Sequence, residues 1–201
     1  MRIWSIQPEK LYEELKFQRV LYCDPMQSEL ITQCGFGPAY DWMAQQMRNR
    51  VGIPPKGVLY PFWAWHTIEW KHQRPDLRHT EFRAYKSNQA CLELEIPGNM
   101  VLLSNEDMWH IVLNDGYYGD SSNEQEAEME DRWFESLPLN EKATVKMKSW
   151  EKIFSVSPPH EDEWECHGKY IQATFWELRL DHVIAVRHFK GRLKNKIVAD
   201  I

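Results

Sequence analysis

Arg2-Ile3-Trp4-Ser5-Ile6-Gln7-Pro8 opens in strand alternation, with Ile3 and Ser5 facing one way and Trp4 and Ile6 the other. Pro8 then supplies the fixed φ that suits a helix's first turn, and Leu11, Tyr12 and Leu15 recur at helical spacing up to Gln18. Val20-Leu21-Tyr22 follows as a short strand stopped by Asp24-Pro25. Strand, helix and strand within about 25 residues set the expectation of a mixed class.

Outward from this opening, Gly35, Gly37 and Pro38 precede a helix over 39–50 with the apolar stripe Tyr40, Met43 and Met47. A Gly- and Pro-rich loop leads into an aromatic extended run from Val58 to His66, which Pro61 confines to an edge or a bulge. Residues 89–96 alternate, Leu92, Leu94 and Ile96 against Cys91, Glu93 and Glu95, as a half-buried strand does. Ser104 and Asp107 form a capping-box-like start for a helix carrying Met108, Trp109, Val112 and Leu113. A helix over 141–154 and strands over 169–178 and 182–189 complete the pattern. The expected fold is α+β, a mostly antiparallel split sheet with flanking helices. One domain spans 1–201, with an acidic helical and loop insertion over about 114–160.

The chain has 201 residues, 43% of them hydrophobic and 13% aromatic, enough to bury a core and far from a disordered composition. With 24 Lys+Arg against 30 Asp+Glu the formal charge is -6, which excludes a globally basic nucleic-acid coat but permits a local basic patch. Residues 187–196 form such a patch, with Arg187, Lys190, Arg192, Lys194 and Lys196 and no acid. The acidic stretch 114–131 reads as solvated and partly mobile. No window approaches the apolar length of a membrane span, and no basic stretch precedes a long apolar run, so a cytoplasmic protein without membrane contact is expected. Four dispersed cysteines without a CxxC speak for buried thiols in a reducing compartment and against a zinc ribbon.

Four groups of residues carry chemistry. Trp63, Trp65 and His66 with Arg74 and Arg78 combine stacking faces with cations, as nucleotide and single-strand sites do, although an aromatic core strand followed by a charged loop has the same composition. The histidines His66, His110 and His167 show no metal-ligand spacing, and no metal is assigned. Ser5 and Gln7 end a strand where a ligand could meet backbone donors or where they could cap the helix. Gln172 and Thr174 share a strand face, with Glu177 on the opposite face unless a bulge intervenes. A carboxylate so placed can orient a ribose hydroxyl or stabilise positive charge at a sugar carbon.

The segments Ile3–Pro8, Tyr40–Met43, Pro61–His66, Pro75–Arg78, Leu94–Pro97, Trp109-His110 and Gln172–Leu178 resemble a bacterial and phage family catalogued as a domain of unknown function. That resemblance spans nearly the whole chain and implies no activity. The order of elements is also distantly similar to the ADP-ribosyltransferase fold, in its DNA-modifying toxin branch. There the first strand reads apolar-Tyr-His-apolar-Thr, the places of Ile3-Trp4-Ser5-Ile6-Gln7. Its late strand carries the catalytic glutamate two residues after a glutamine, where this chain has Thr174. The resemblance implies NAD as substrate, between Ser5 and Gln7 and the Trp63, Trp65 and His66 strand, with Arg74 or Arg78 on the pyrophosphate. Gln172 and Glu177 become the catalytic pair at the nicotinamide ribose; either Glu177 takes over the missing carboxylate through a bulge, or the nucleotide site persists without the usual catalyst.

The resulting expectation is an ADP-ribosyltransferase-like protein that moves ADP-ribose from NAD to a nucleic-acid or protein acceptor, as a toxin in phage–host conflict does. Two alternatives stand beside it. One is a noncatalytic RNA- or DNA-binding module of PUA-like form, using Arg74, Arg78, Arg83 and the basic tail. The other is an inhibitor or antidote that binds a protein partner through the acidic 115–131 segment.

Overall fold

Strand β1 (Arg2–Pro8), helix α1 (Glu9–Gln18) and strand β2 (Val20–Tyr22) form where the apolar period switches from two to about 3.6 and back. Arg19 closes the turn between α1 and β2 with a left-handed φ of 71°, its N–H donating to the Leu15 carbonyl at 2.8 Å. Short α2 (Glu29–Thr32) and long α3 (Gly37–Arg50) precede strands β3 (Phe62–Thr67), β4 (Asn88–Glu95) and β5 (Leu102–Asn105). Then come α4 (Glu106–Leu113), α5 (Glu124–Ser136), α6 (Leu139–Ser149) and a 3-10 turn over Trp150–Phe154. A small ribbon of β6 (His160–Glu161) and β7 (Cys166–His167) leads to β8 (Ile171–Phe175), β9 (Glu177–Arg179) and β10 (Val183–Lys190). The computed structural model describes residues 1–191 except 80, 81, 83, 86 and 162–165, so Arg83 and residues 192–196 of the basic tail lie outside the described residues.

Six strands form one sheet in the order β10-β4-β1-β3-β8-β5, every neighbouring pair antiparallel, and β2 with β9 makes a separate two-stranded ribbon. The molecule is therefore α+β with a mostly antiparallel sheet, as expected. One face of the sheet packs Ile3, Leu92, Leu94, Ala64, Ala173 and Phe175 against Leu15 of α1 and Leu178 of β9. The other carries Trp63 and Leu102 against Tyr40 and Met43 of α3, Trp109 of α4 and Ile153. Each such Leu, Ile or Phe side chain taken fully from water contributes about 1.5–3 kcal/mol, so the two faces together hold the sheet between layers.

Several local readings change once the strands are paired. β3 is an interior strand between β1 and β8, with Pro61 just ahead of its first rung and a register shift between Trp65 and Thr67. Ser104 does not cap α4: it lies in β5, opposite Gln172, and the helix starts after Asn105. Residues 169–178 are not one strand, because the chain leaves the sheet at Trp176 and Glu177 enters the β2–β9 ribbon opposite Tyr22. The acidic stretch holds α5, whose N-cap Asn123 accepts from the Glu126 N–H. Among the cysteines, Cys91 is buried while Cys34 is exposed and Cys23 and Cys166 are intermediate.

Candidate functional site

A cleft of about 700 Å³ opens on the sheet face that carries Trp63, Trp65 and Gln172. Strand pairing builds its floor, since Trp63 lies opposite Thr174 and Trp65 opposite Gln172. Helix α4 follows β5 without a loop and places Glu106, Trp109 and His110 along one wall. Ile6, Cys23 and Tyr40 line other parts, and a second hollow of about 540 Å³ adjoins it, sharing Ile6, Cys23 and Trp63 and reaching Gln7. Aromatic rings dominate. Trp63 sits 5.1 Å from Trp109 and 5.8 Å from Tyr40, centroid to centroid, so the floor rests on a packed cluster of rings.

Two polar groups of this floor are left without a partner among the described residues: Gln172 Oε1 and Trp63 Nε1, both buried. A buried amide oxygen and an indole N–H cost about 1–3 kcal/mol each while they stay without partners. Glu106 and His110 stand one helical turn apart, with Oε1 and Nε2 separated by 3.0 Å. Tyr60 donates its hydroxyl to Asp41 at 2.6 Å, and that bond, more than burial, pushes the phenol up to about 12. Burial first, then the neighbouring Cys23 and Cys34, pushes Tyr40 up to about 12, and burial leads in pushing the Cys23 thiol up to about 11, so Cys23 is protonated and no ready nucleophile. Neither Lys nor Arg lines either hollow among the described residues.

Trp63, Trp65 and Gln172 thus come together, with Gln7 at the adjoining hollow, whereas the other expected site residues do not join them. Ser5 is fully buried, donates to the Trp63 carbonyl at 2.8 Å and accepts from Gln7 Nε2 at 2.8 Å; its register partner is Leu92, on the opposite sheet face from Trp63. Neither Ser5 nor Gln7 caps α1. His66 Nδ1 lies 2.9 Å from Thr67 Oγ1 and 3.3 Å from His72 Nδ1. Arg74 is paired with the buried Glu93 at 2.8 Å, and Arg78 with Asp76 at 2.6 Å. Glu177 lines a different cavity. Thr174, where the distant resemblance has its glutamate, is fully buried with Oγ1 donating to Met47 Sδ at 3.1 Å, sealed beneath α3. Glu106 and Trp109 were missing from the expected site; the Glu106–His110 spacing of four on an amphipathic helix was the available signal.

The family model described as Domain of unknown function (DUF3841) matches residues 2–184. The chain belongs to this family. The DUF3841 match runs from the start of β1 into β10 and so contains every residue of the cleft, from Ile6 to Gln172. No curated protein and no solved structure matches the chain. Among the described residues no helix is long and apolar enough to cross a membrane.

Proposed function

We propose that this DUF3841 protein is an ADP-ribosyltransferase-like enzyme whose aromatic cleft takes the nicotinamide ribose end of NAD. The observation that carries it is the buried, unpartnered Gln172 Oε1 on a floor of Trp63 and Trp65, with the Glu106 carboxylate on the wall. A cationic pyridinium is attracted to aromatic faces, and its carboxamide N–H can donate to Gln172. Glu106 would then stand near the ribose. Because Arg74 and Arg78 are already paired with carboxylates, and no Lys or Arg among the described residues lines the cleft, the pyrophosphate would lie toward solvent.

In this reading the bond between C1′ of the ribose and the ring nitrogen breaks, its electron pair leaves with neutral nicotinamide, and positive charge develops on the sugar. Glu106 stabilises that charge, and Glu177 has no part in the step. An acceptor nucleophile then bonds to C1′ and gives up its proton to His110, a base of the cleft held by Glu106. The test is release of nicotinamide from NAD by the purified chain. Turnover should fall about a hundredfold in Glu106→Gln and persist in Glu177→Gln, the scale of losing one electrostatic stabiliser. Turnover abolished in Glu177→Gln and unchanged in Glu106→Gln would overturn the assignment.

A further inference from the structure

Glu177 lines its own cavity, of about 310 Å³, at the low end of the roughly 300–1,000 Å³ typical of small-molecule sites. Phe175 and Trp176 at the β8–β9 break form part of the lining, together with Ile96 and the Val51–Pro55 loop. Trp176 Nε1 donates to the Gly52 carbonyl at 2.9 Å, which ties that loop to the strand break and fixes the shape of the cavity. Ile53, in the same lining, is 90% exposed, an apolar rim that an occupant would cover.

Glu177 and His182 are the two titratable residues of this otherwise mostly apolar lining. The Glu177 side chain is only 20% exposed, and its ion-pair partner, the Arg179 guanidinium, stands at 3.9 Å, too far for a hydrogen bond, while engaging Asp181 at 3.1 Å. His182 Nδ1 is buried without a partner among the described residues. A half-desolvated carboxylate and an orphaned imidazole nitrogen are both relieved by a donor that carries positive charge. Burial, the main influence on His182, holds it below the ordinary imidazole range, so at neutral pH the ring is uncharged and its Nδ1 can accept.

We propose that this cavity is a second ligand site, distinct from the aromatic cleft, for a small primary amine with an apolar body, whose ammonium donates to Glu177 and to His182 Nδ1. An anion of the same shape meets carboxylate repulsion, and a neutral alcohol forfeits the charge-assisted bond. The test is calorimetric titration of the full chain with phenethylamine, 2-phenylethanol and phenylacetate, which share a ring and differ in the head group. Saturable binding of phenethylamine is expected, weaker by about tenfold or more for 2-phenylethanol and absent for phenylacetate. Glu177→Gln and His182→Gln should each weaken the amine, whereas Glu106→Gln in the cleft should leave it unchanged. Absence of saturable phenethylamine binding, equal binding of phenylacetate, or loss in Glu106→Gln with retention in Glu177→Gln overturns the proposal. None of these results bears on NAD, so the two sites are judged separately.

Discussion

Asn105 ties three segments together from one buried side chain. Its Nδ2 donates to the Ile153 carbonyl at 3.2 Å and the Ser155 carbonyl at 3.0 Å, and its Oδ1 accepts from the Gly168 N–H at 2.8 Å. Replacing it by alanine strands all three backbone groups, so Asn105→Ala should cost about 2–4 kcal/mol in urea unfolding; a loss under about 1 kcal/mol would show that water replaces the amide. His66 is the second residue-scale case. Burial first, then the charge of His72 and the N-terminus, lower it from 6.5 to about 4. The unfolded chain binds that proton more readily, so the stabilisation is intact above pH 6.5 and is lost as pH falls toward about 4. Unfolding free energy measured across that window should decline, and His66→Gln should flatten the decline; an unchanged slope in the variant would assign the pH dependence elsewhere.

Elements defined by local period were legible in the sequence, and those defined by distant partners were not. β1, α1 and β2 follow from alternation, Pro8 and helical spacing, all within one stretch. β5 has four residues and exists because β8 pairs with it from Leu102↔Thr174 to Asn105↔Ile171, a partner far along the chain that no local pattern announces. The break at Trp176 likewise depends on the Gly52 carbonyl receiving the indole N–H. For the cleft, Trp63, Trp65 and Gln172 were readable because strand faces are, but their meeting with Glu106 required β5 to set α4 over them. At the end of α1, Arg19 holds a left-handed φ of 71°, which a glycine adopts without its Cβ strain. Arg19→Gly should therefore raise stability by about 0.5–1 kcal/mol in thermal or urea unfolding, and a destabilisation would mean that the arginine side chain supports the turn.

The whole molecule is organised around a sheet whose first and last strands both pair with β4. β10 covers the β4 edge along Val183↔Leu94 to Lys190↔Asn88, beyond the residue where the DUF3841 match stops. A chain ended at Ile184 keeps the whole matched region yet bares that edge. It should lose its cooperative unfolding transition or aggregate, and a cooperative transition kept at the midpoint of the full chain would show that β10 is dispensable. This framework brings Trp63, Trp65 and Gln172 together with α4 around one cleft, the site proposed for NAD. Calorimetric titration with NAD, alongside nicotinamide mononucleotide and the Gln172→Ala and Glu177→Gln variants, tests it most directly. NAD and the mononucleotide should both bind saturably, within about tenfold of each other, with binding lost in Gln172→Ala and kept in Glu177→Gln. No binding at millimolar NAD, or binding lost in Glu177→Gln and kept in Gln172→Ala, would contradict it.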